Sequence, residues 1–384
     1  MPFYLALKEM WRLRGRYLLF SLVVALITIL VLFIAALAGG LANANKQFID
    51  KLDADMLVYQ ENVDLQPTSS RLGQSKLADV RRIEGVKDVG PLGLSTAAVV
   101  FSDGRTPIDI SLVGVDPGKP GDPPPLDGLG LRTKRNNDAV IDRNLAKQAG
   151  FRVGDKITIK SIQGTKEEYY QLTVVGITEA RQYFFLPSVI LPLTTWDKVR
   201  PQGEGGNSRS EIIFNLMAVQ LLDPRQFELV TQRINSLVDG IEVTNKRKAI
   251  EALPGYSAQQ STLNTQKAFT LLIGILVVGG FFQIQTLQKV AQIGVLKAIG
   301  SSNGTVAIAI MLQIILITII GVGIGSLGTL LLALGLPGNI PIEFAGPTVL
   351  SAIGLLLLIG PISGLVSIRL ALKIDPLMAI GLSS

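Results

Sequence analysis

The sequence predicts an α-helical membrane protein with four transmembrane helices and a mixed α/β extracytoplasmic domain inserted between the first and the second. Three observations predict it. Of 384 residues, 48% are hydrophobic and 17% are charged, against about 25% charged in an ordinary soluble domain. Four apolar runs reach the ~20 residues that a helix needs to cross a bilayer core. The charge is also uneven. Residues 42–266 hold 27 Lys/Arg and 27 Asp/Glu, so the remaining 9 basic and 3 acidic residues, in or beside the apolar runs, carry the whole net charge of +6. A basic excess confined to membrane flanks argues against nucleic-acid binding.

Residues 1–16 read as a cytoplasmic interfacial helix, with Tyr4, Leu5, Trp11 and Leu13 along the membrane and Lys8, Arg12, Arg14 and Arg16 toward headgroups. The first span, 17–41, has no charge over 25 residues. The basic start, the apolar run and Ala42-Asn43-Ala44 also resemble a cleaved signal peptide. A signal's apolar core is about 7–15 residues long, however, so the run is expected to remain as a span.

Residues 42–266 form the outer domain. Its first part, 42–100, reads as a strand at Met56–Tyr59, a helix near Ser75–Glu84 and an extended run ending at Ala97–Val100. Its last part, 210–266, repeats the pattern with a strand over Glu211–Leu221, a helix over Pro224–Val238 and a strand over Ile241–Thr244. Two such units at the ends of one domain suggest halves that meet in space. Between them, residues 101–209 read as a β-rich insertion with strands at Ile108–Val115, Lys156–Ile162, Tyr170–Ile177 and Phe184–Leu191. Turn-rich stretches at Asp116–Pro125 and Gly203–Ser208 flank these strands.

The second span covers 268–287, the third 305–336 and the fourth 349–368. A cytoplasmic segment, 288–304, joins the second to the third, an outer loop, 337–347, joins the third to the fourth, and 369–384 is a cytoplasmic tail. Orientation follows from basic residues in short loops. Lys8, Arg12, Arg14, Arg16, Lys289, Lys297, Arg369 and Lys373 all fall on one side, and the 337–347 loop has no Lys or Arg. Both termini are therefore expected in the cytoplasm of a multi-pass plasma-membrane protein.

Several chemistries are excluded. With no Cys and no His there is no disulfide framework, no common zinc site and no His-based acid–base catalysis. No cofactor or metal site is expected. No Gly-x4-Gly-Lys-Ser/Thr loop occurs, so the chain should not bind ATP by that device. Gly321 and Gly325 lie inside a span, where glycines let helices pack closely. Ionisable residues are absent from the centre of every span, which disfavours a conduction path and favours a mechanical role.

The stretch Gln292-Ile293-Gly294-Val295-Leu296-Lys297-Ala298-Ile299-Gly300-Ser301 resembles the cytoplasmic signature that follows the second span in MacB/FtsX-type ABC transporter permeases, the four-span membrane subunits of the type VII family. Gln313-x7-Gly321-x3-Gly325 continues the resemblance, as do Ala139–Lys156 and the tail Ala371–Ile380. The chain departs from the family in having Gln292 and Gln313 where Glu is usual, so an ion pair at either place is not implied. The resemblance implies a non-enzymatic permease whose ATPase sits on a separate subunit, and an assembly of two permease copies with two ATPase subunits. Lys289 and residues 292–300 would dock into the ATPase, with Ile293, Leu296 and Ile299–Gly300 on one amphipathic face and Lys289 and Lys297 near headgroups or the partner. Gln313, Gly321 and Gly325 would pack the spans.

The implied function is mechanotransmission: ATP-driven motion moves the outer domain, which exports a hydrophobic or envelope-derived substrate. A periplasmic adaptor or other envelope partner and membrane lipid are the further expected contacts. The alternatives are FtsX-like regulation of cell-wall hydrolases and extraction of lipids or lipoproteins. Absence of His excludes His-ligated haem as cargo at this subunit, while Tyr, Met or carboxylate ligation stays open.

Overall fold

A continuous helix of 37 residues begins at Arg14, after a turn at Leu13 that ends a helical stretch over 10–12, in the computed structural model, which describes residues 8, 10–134, 136–203, 211–336, 342, 344 and 346–372. The expectations for residues 1–7 and 9, for 204–208, for most of the 337–347 loop and for the tail motif from residue 373 lie outside the described residues. In chain order the helices are α1 (Arg14–Asp50), α2 (Gln74–Arg81), α3 (Arg143–Ala149), α4 (Leu193–Val199), α5 (Phe227–Leu237), α6 (Lys246–Glu251), α7 (Tyr256–Gln288), α8 (Val290–Ala298), α9 (Asn303–Gly335) and α10 (Gly346–Leu372). The strands are β1 (Met56–Gln60), β2 (Val86–Val100), β3 (Ile108–Val115), β4 (Pro125–Gly128), β5 (Asp138–Asp142), β6 (Lys156–Gln163), β7 (Lys166–Thr178), β8 (Ser188–Pro192), β9 (Leu216–Leu221) and β10 (Ile241–Thr244). The chain divides into two units, Met1–Gly40 with Ser261–Ser384, and Leu41–Gln260. Both boundaries fall inside helices, α1 and α7.

In the first unit, three helices are long and apolar enough to cross a membrane among the described residues: Arg14–Ala44, Tyr256–Gln288 and Asn303–Gly335. In α10 the apolar stretch Val349–Leu365 is shorter. Ser302 caps α9 by accepting from the Thr305 N–H at 3.2 Å, which explains why that helix starts just ahead of its apolar run. Buried Thr28, Thr318 and Thr329 donate back to the carbonyls of Val24, Ile314 and Gly325, so their hydroxyls cost little in an apolar interior. Before α1, Trp11 is 80% exposed.

In the second unit the described strands form one sheet in the order β10-β1-β9-β2-β3-β8-β5-β7-β4, with β6 pairing β2 and β7. The two end segments do meet, since β1 lies between β10 and β9 and β9 pairs β2. Side chains alternate faces along a strand. Met56 and Val58 enter one core with Val219 and Ile141, while Leu57 and Tyr59 enter another with Ala218 and Ile190. Both faces are covered, which is why β1 reads as a continuous apolar run.

One expectation is extended and one corrected here. The β-rich residues 101–209 continue the sheet of the end segments, because β3 pairs β2 over eight residues and carries the sheet onward. They also contain two helices. Asp142 caps α3 by accepting from the Leu145 N–H at 2.8 Å, and Gly150 closes it at φ 78°, the left-handed position that glycine takes most readily. In α4, Trp196 lies across Gly93 and Gly114, which face each other on β2 and β3. The strand expected over Phe184–Leu191 begins only at Ser188. Phe184 and Phe185 instead sit at positive φ in a tight turn.

Candidate functional site

Lys289 breaks the helix between α7 and α8, with φ −101° and ψ 5°. Its main chain stays bonded on both sides, through Lys289 N–H to Thr286 O at 3.1 Å and Ile293 N–H to Lys289 O at 2.9 Å. The bend is therefore a fixed corner. At the other end of α8, Gly300 takes φ 99° and a turn leads directly to the Ser302 cap of α9. The segment is thus a nine-residue helix held between two defined corners.

The Lys289 side chain does not reach outward as expected. It is 8% exposed and turns into the first unit, where Nζ donates to Tyr17 Oη at 2.8 Å and to Gln313 Oε1 at 2.9 Å. Tyr17 Oη also donates to Gln313 Oε1 at 3.2 Å, and the ammonium lies 5.4 Å from the Tyr17 ring centroid, within cation–π range. Gln285 and Thr286 are buried beside this cluster. Next to it, Arg16 donates to the Gln288 side chain. The start of α1, the end of α7 and the first part of α9 therefore share one end of the bundle. A buried ammonium needs bonded acceptors to offset its lost hydration, and α1 and α9 supply them.

The faces of α8 differ from the expected one. Ile293 is buried against Val306 and Ile310, and Gly294 is buried. Val295 and Ile299 are exposed, Ile299 by 79%. Ile293 and Ile299 stand about 120° apart around a helix, whereas positions four apart share a side. Val295 and Ile299 therefore form the outward apolar pair. Lys297 is half-buried and Ala298 exposed. Gln292 and Leu296 lie within α8, but their side chains are outside the described residues.

Gln313, Ile317, Gly321 and Gly325 follow one another at four-residue spacing along α9. Tyr17 meets Gln313. A Cβ on Gly321 would stand 2.6 Å from Val24 Cβ and 2.8 Å from Ser21 O, and one on Gly325 would stand 2.5 Å from Thr28 Cβ and 2.7 Å from Ala25 O. Numbers rise together along both helices, so α1 and α9 run parallel in close backbone contact. On the neighbouring face of α9, about 100° round, Gly360 and Gly364 of α10 meet Thr318 and Ile314.

Tyr17 is the site residue that sequence reading missed. A Tyr at the head of an apolar run is ordinarily an interface anchor, and nothing local links it to residues 272 and 296 positions away. Among the described residues no group of three or more His, Cys, Asp or Glu could hold a metal ion.

A family model described as the MacB-like periplasmic core domain matches residues 18–237. A second, the FtsX-like permease C-terminal, matches residues 268–376. The chain belongs to the MacB/FtsX-type ABC transporter permeases. This permease is 28% identical over 377 residues to a Staphylococcus haemolyticus protein described as a hemin transport system permease, HrtB, covering 98% of this chain and 99% of that one. It is 23% identical over 375 residues to an uncharacterized ABC transporter permease of Mycobacterium bovis, covering 97% of each. The crystal structure of the periplasmic region of MacB from Actinobacillus actinomycetemcomitans aligns with 51% of this chain and 90% of its own, at 14% identity and a TM-score of 0.37. As a permease of this family the chain is a multi-pass plasma-membrane subunit of an ABC transporter, and the family implies an ATPase partner.

Proposed function

We propose that this permease passes ATP-driven motion from a separate ATPase subunit to the domain between its first and second spans, without carrying substrate between its helices. In this reading Val349–Ile368 is a fourth span, the termini and α8 face the cytoplasm, residues 42–266 lie outside, and two permease copies pair with two ATPase subunits. The observation that carries it is the Lys289 cluster. Force applied to α8 acts on a corner whose side chain is bonded into both α1 and α9, and α1 continues as helix to Asp50. The exposed pair Val295 and Ile299, with Lys297, is the surface offered to the ATPase. The distribution of Lys and Arg supports the orientation. The cargo is a hydrophobic or envelope-derived molecule moved outward, and hemin is the first to test because a relative of nearly equal length is described by it.

The test reconstitutes the permease with its ATPase subunit in nanodiscs. Val295→Asp and Ile299→Asp are expected to lower ATPase co-purification at least tenfold and to abolish hemin-stimulated hydrolysis, with insertion unchanged. Wild-type ATPase binding and hydrolysis in both variants would refute the docking role of α8.

A further inference from the structure

Tyr183 and Leu186 exchange both main-chain hydrogen bonds, N–H to O at 3.1 Å each way, so Phe184 and Phe185 are the two central residues of a hairpin turn. Their φ values are 53° and 65°, the type I′ pattern that Asn-Gly ordinarily fills. Two adjacent Phe residues in left-handed backbone are strained, and such strain persists only where the surroundings impose it. The rings are 6.2 Å apart, and the residues are 45% and 41% exposed. The conformation thus holds two large apolar side chains outward, where water alone gives no return for them.

The surroundings do impose it. Phe48 N–H donates to Gln182 O at 3.1 Å, and Gln182 N–H donates to Gln47 Oε1 at 3.2 Å. Arg181 Nη1 donates to Lys51 O at 2.6 Å, Lys51 Nζ donates to Ala180 O at 3.0 Å, and the Phe48 and Tyr183 rings meet edge to face at 5.7 Å. Ser188 Oγ donates to Arg181 O, and Arg181 N–H donates to buried Asp142. The turn is therefore braced against residues 47–51, at the C-terminal end of α1 and just past it. Those positions follow the candidate span Arg14–Ala44 by three to seven residues, or about 5–10 Å of helix rise. The headgroup zone extends roughly 5–7 Å beyond the hydrocarbon on each face, so the braces lie at its level.

We propose that the Phe184–Phe185 turn is a membrane contact, with both rings seated at the boundary between headgroups and acyl chains of the outer leaflet. Aromatic side chains collect at that boundary. The contact would hold the membrane-proximal face of the domain against lipid. It requires only that Arg14–Ala44 spans the bilayer, and it is independent of ATP coupling through α8.

The chain has no Cys, so single nitroxide labels can be placed on full-length protein in phosphatidylcholine/phosphatidylglycerol nanodiscs. Labels at Phe184→Cys and Phe185→Cys are expected to be several-fold more accessible to oxygen, and several-fold less accessible to a water-soluble nickel chelate, than one at exposed Ser102→Cys. Nickel accessibility equal to that at residue 102 overturns the proposal, as does spin–spin broadening that places a second copy at the tip. The paired replacement Phe184→Asn with Phe185→Gly relaxes the turn. It is expected to raise the melting temperature in detergent by a few degrees and to lose that gain in lipid, and an equal gain in both also overturns the proposal.

Discussion

Lys289 Nζ and Gln313 Oε1 meet at 2.9 Å, joining the residue that ends the second apolar helix to a turn near the start of the third. Hydrogen bonds to a charged group contribute about 1.5–3 kcal/mol. Lys289→Met is expected to lower stability by that order and to uncouple hydrolysis from transport. Gln313→Leu should do the same, whereas Gln313→Glu keeps an acceptor for both Lys289 and Tyr17 and should retain coupling. Thermal unfolding and ATPase stimulation of the single and double variants measure this, and strictly additive losses would show that the two residues act separately.

The parallel contact of α1 and α9 predicts a position-specific response to one added methyl group. Gly321→Ala and Gly325→Ala each drive a Cβ into main-chain oxygen and should cost roughly 1–3 kcal/mol. Gly323→Ala, with nothing within 4 Å, should be neutral or slightly stabilising, because Ala is the better helix former. Similar melting temperatures for all three would contradict the close approach.

Burial pushes the Asp142 carboxyl up to about 6 from its ordinary 3.8, against the opposing effect of main-chain N–H donors. The folded state therefore holds this proton more tightly than the unfolded chain. The resulting stabilisation is present below pH ~4, is lost as pH rises toward 6 and remains lost above it. Asp142→Asn should remove that dependence while preserving the α3 cap, whereas Asp142→Ala should also lose about 1 kcal/mol of capping. Hydrogen exchange of residues 138–150 in the full chain, compared at pH 4 and pH 7, reports both effects. Parallel pH curves for wild type and Asp142→Asn would exclude this carboxyl as the source.

Trp196 covers Gly93 and Gly114, and a Cβ on either would stand 2.6 Å or less from its atoms. Gly114→Ala should displace the indole, break its Nε1 bond to Ser95 Oγ of 3.0 Å, cost about 1–3 kcal/mol and red-shift the buried part of the tryptophan emission. Unchanged emission would mean that the indole accommodates the methyl group in place.

Features that depend on a single element were legible in the sequence. The apolar runs of α1, α7 and α9, β1, and β3 at Ile108–Val115 announce themselves by period and length. Features that depend on distant partners were not. Phe184 and Phe185 have strong strand propensity, yet Gln47, Phe48 and Lys51 hold their flanks and force a turn. Lys289 reads as one more basic flank until Tyr17 and Gln313 arrive from elsewhere in the chain. Ile299 reads as apolar packing, and only the burial of Ile293 against Val306 and Ile310 decides that α8 turns its other side outward.

The unit boundaries at Gly40/Leu41 and Gln260/Ser261 run through helical backbone, which has a practical consequence for dissection. A protease needs extended chain, and both junctions have their peptide groups occupied in helix bonds. Among the described residues, gentle digestion should nick the exposed Ser102–Thr106 turn before either junction. A gene truncated to residues 41–260 would begin and end in mid-helix, with terminal peptide groups that the intact chain keeps paired.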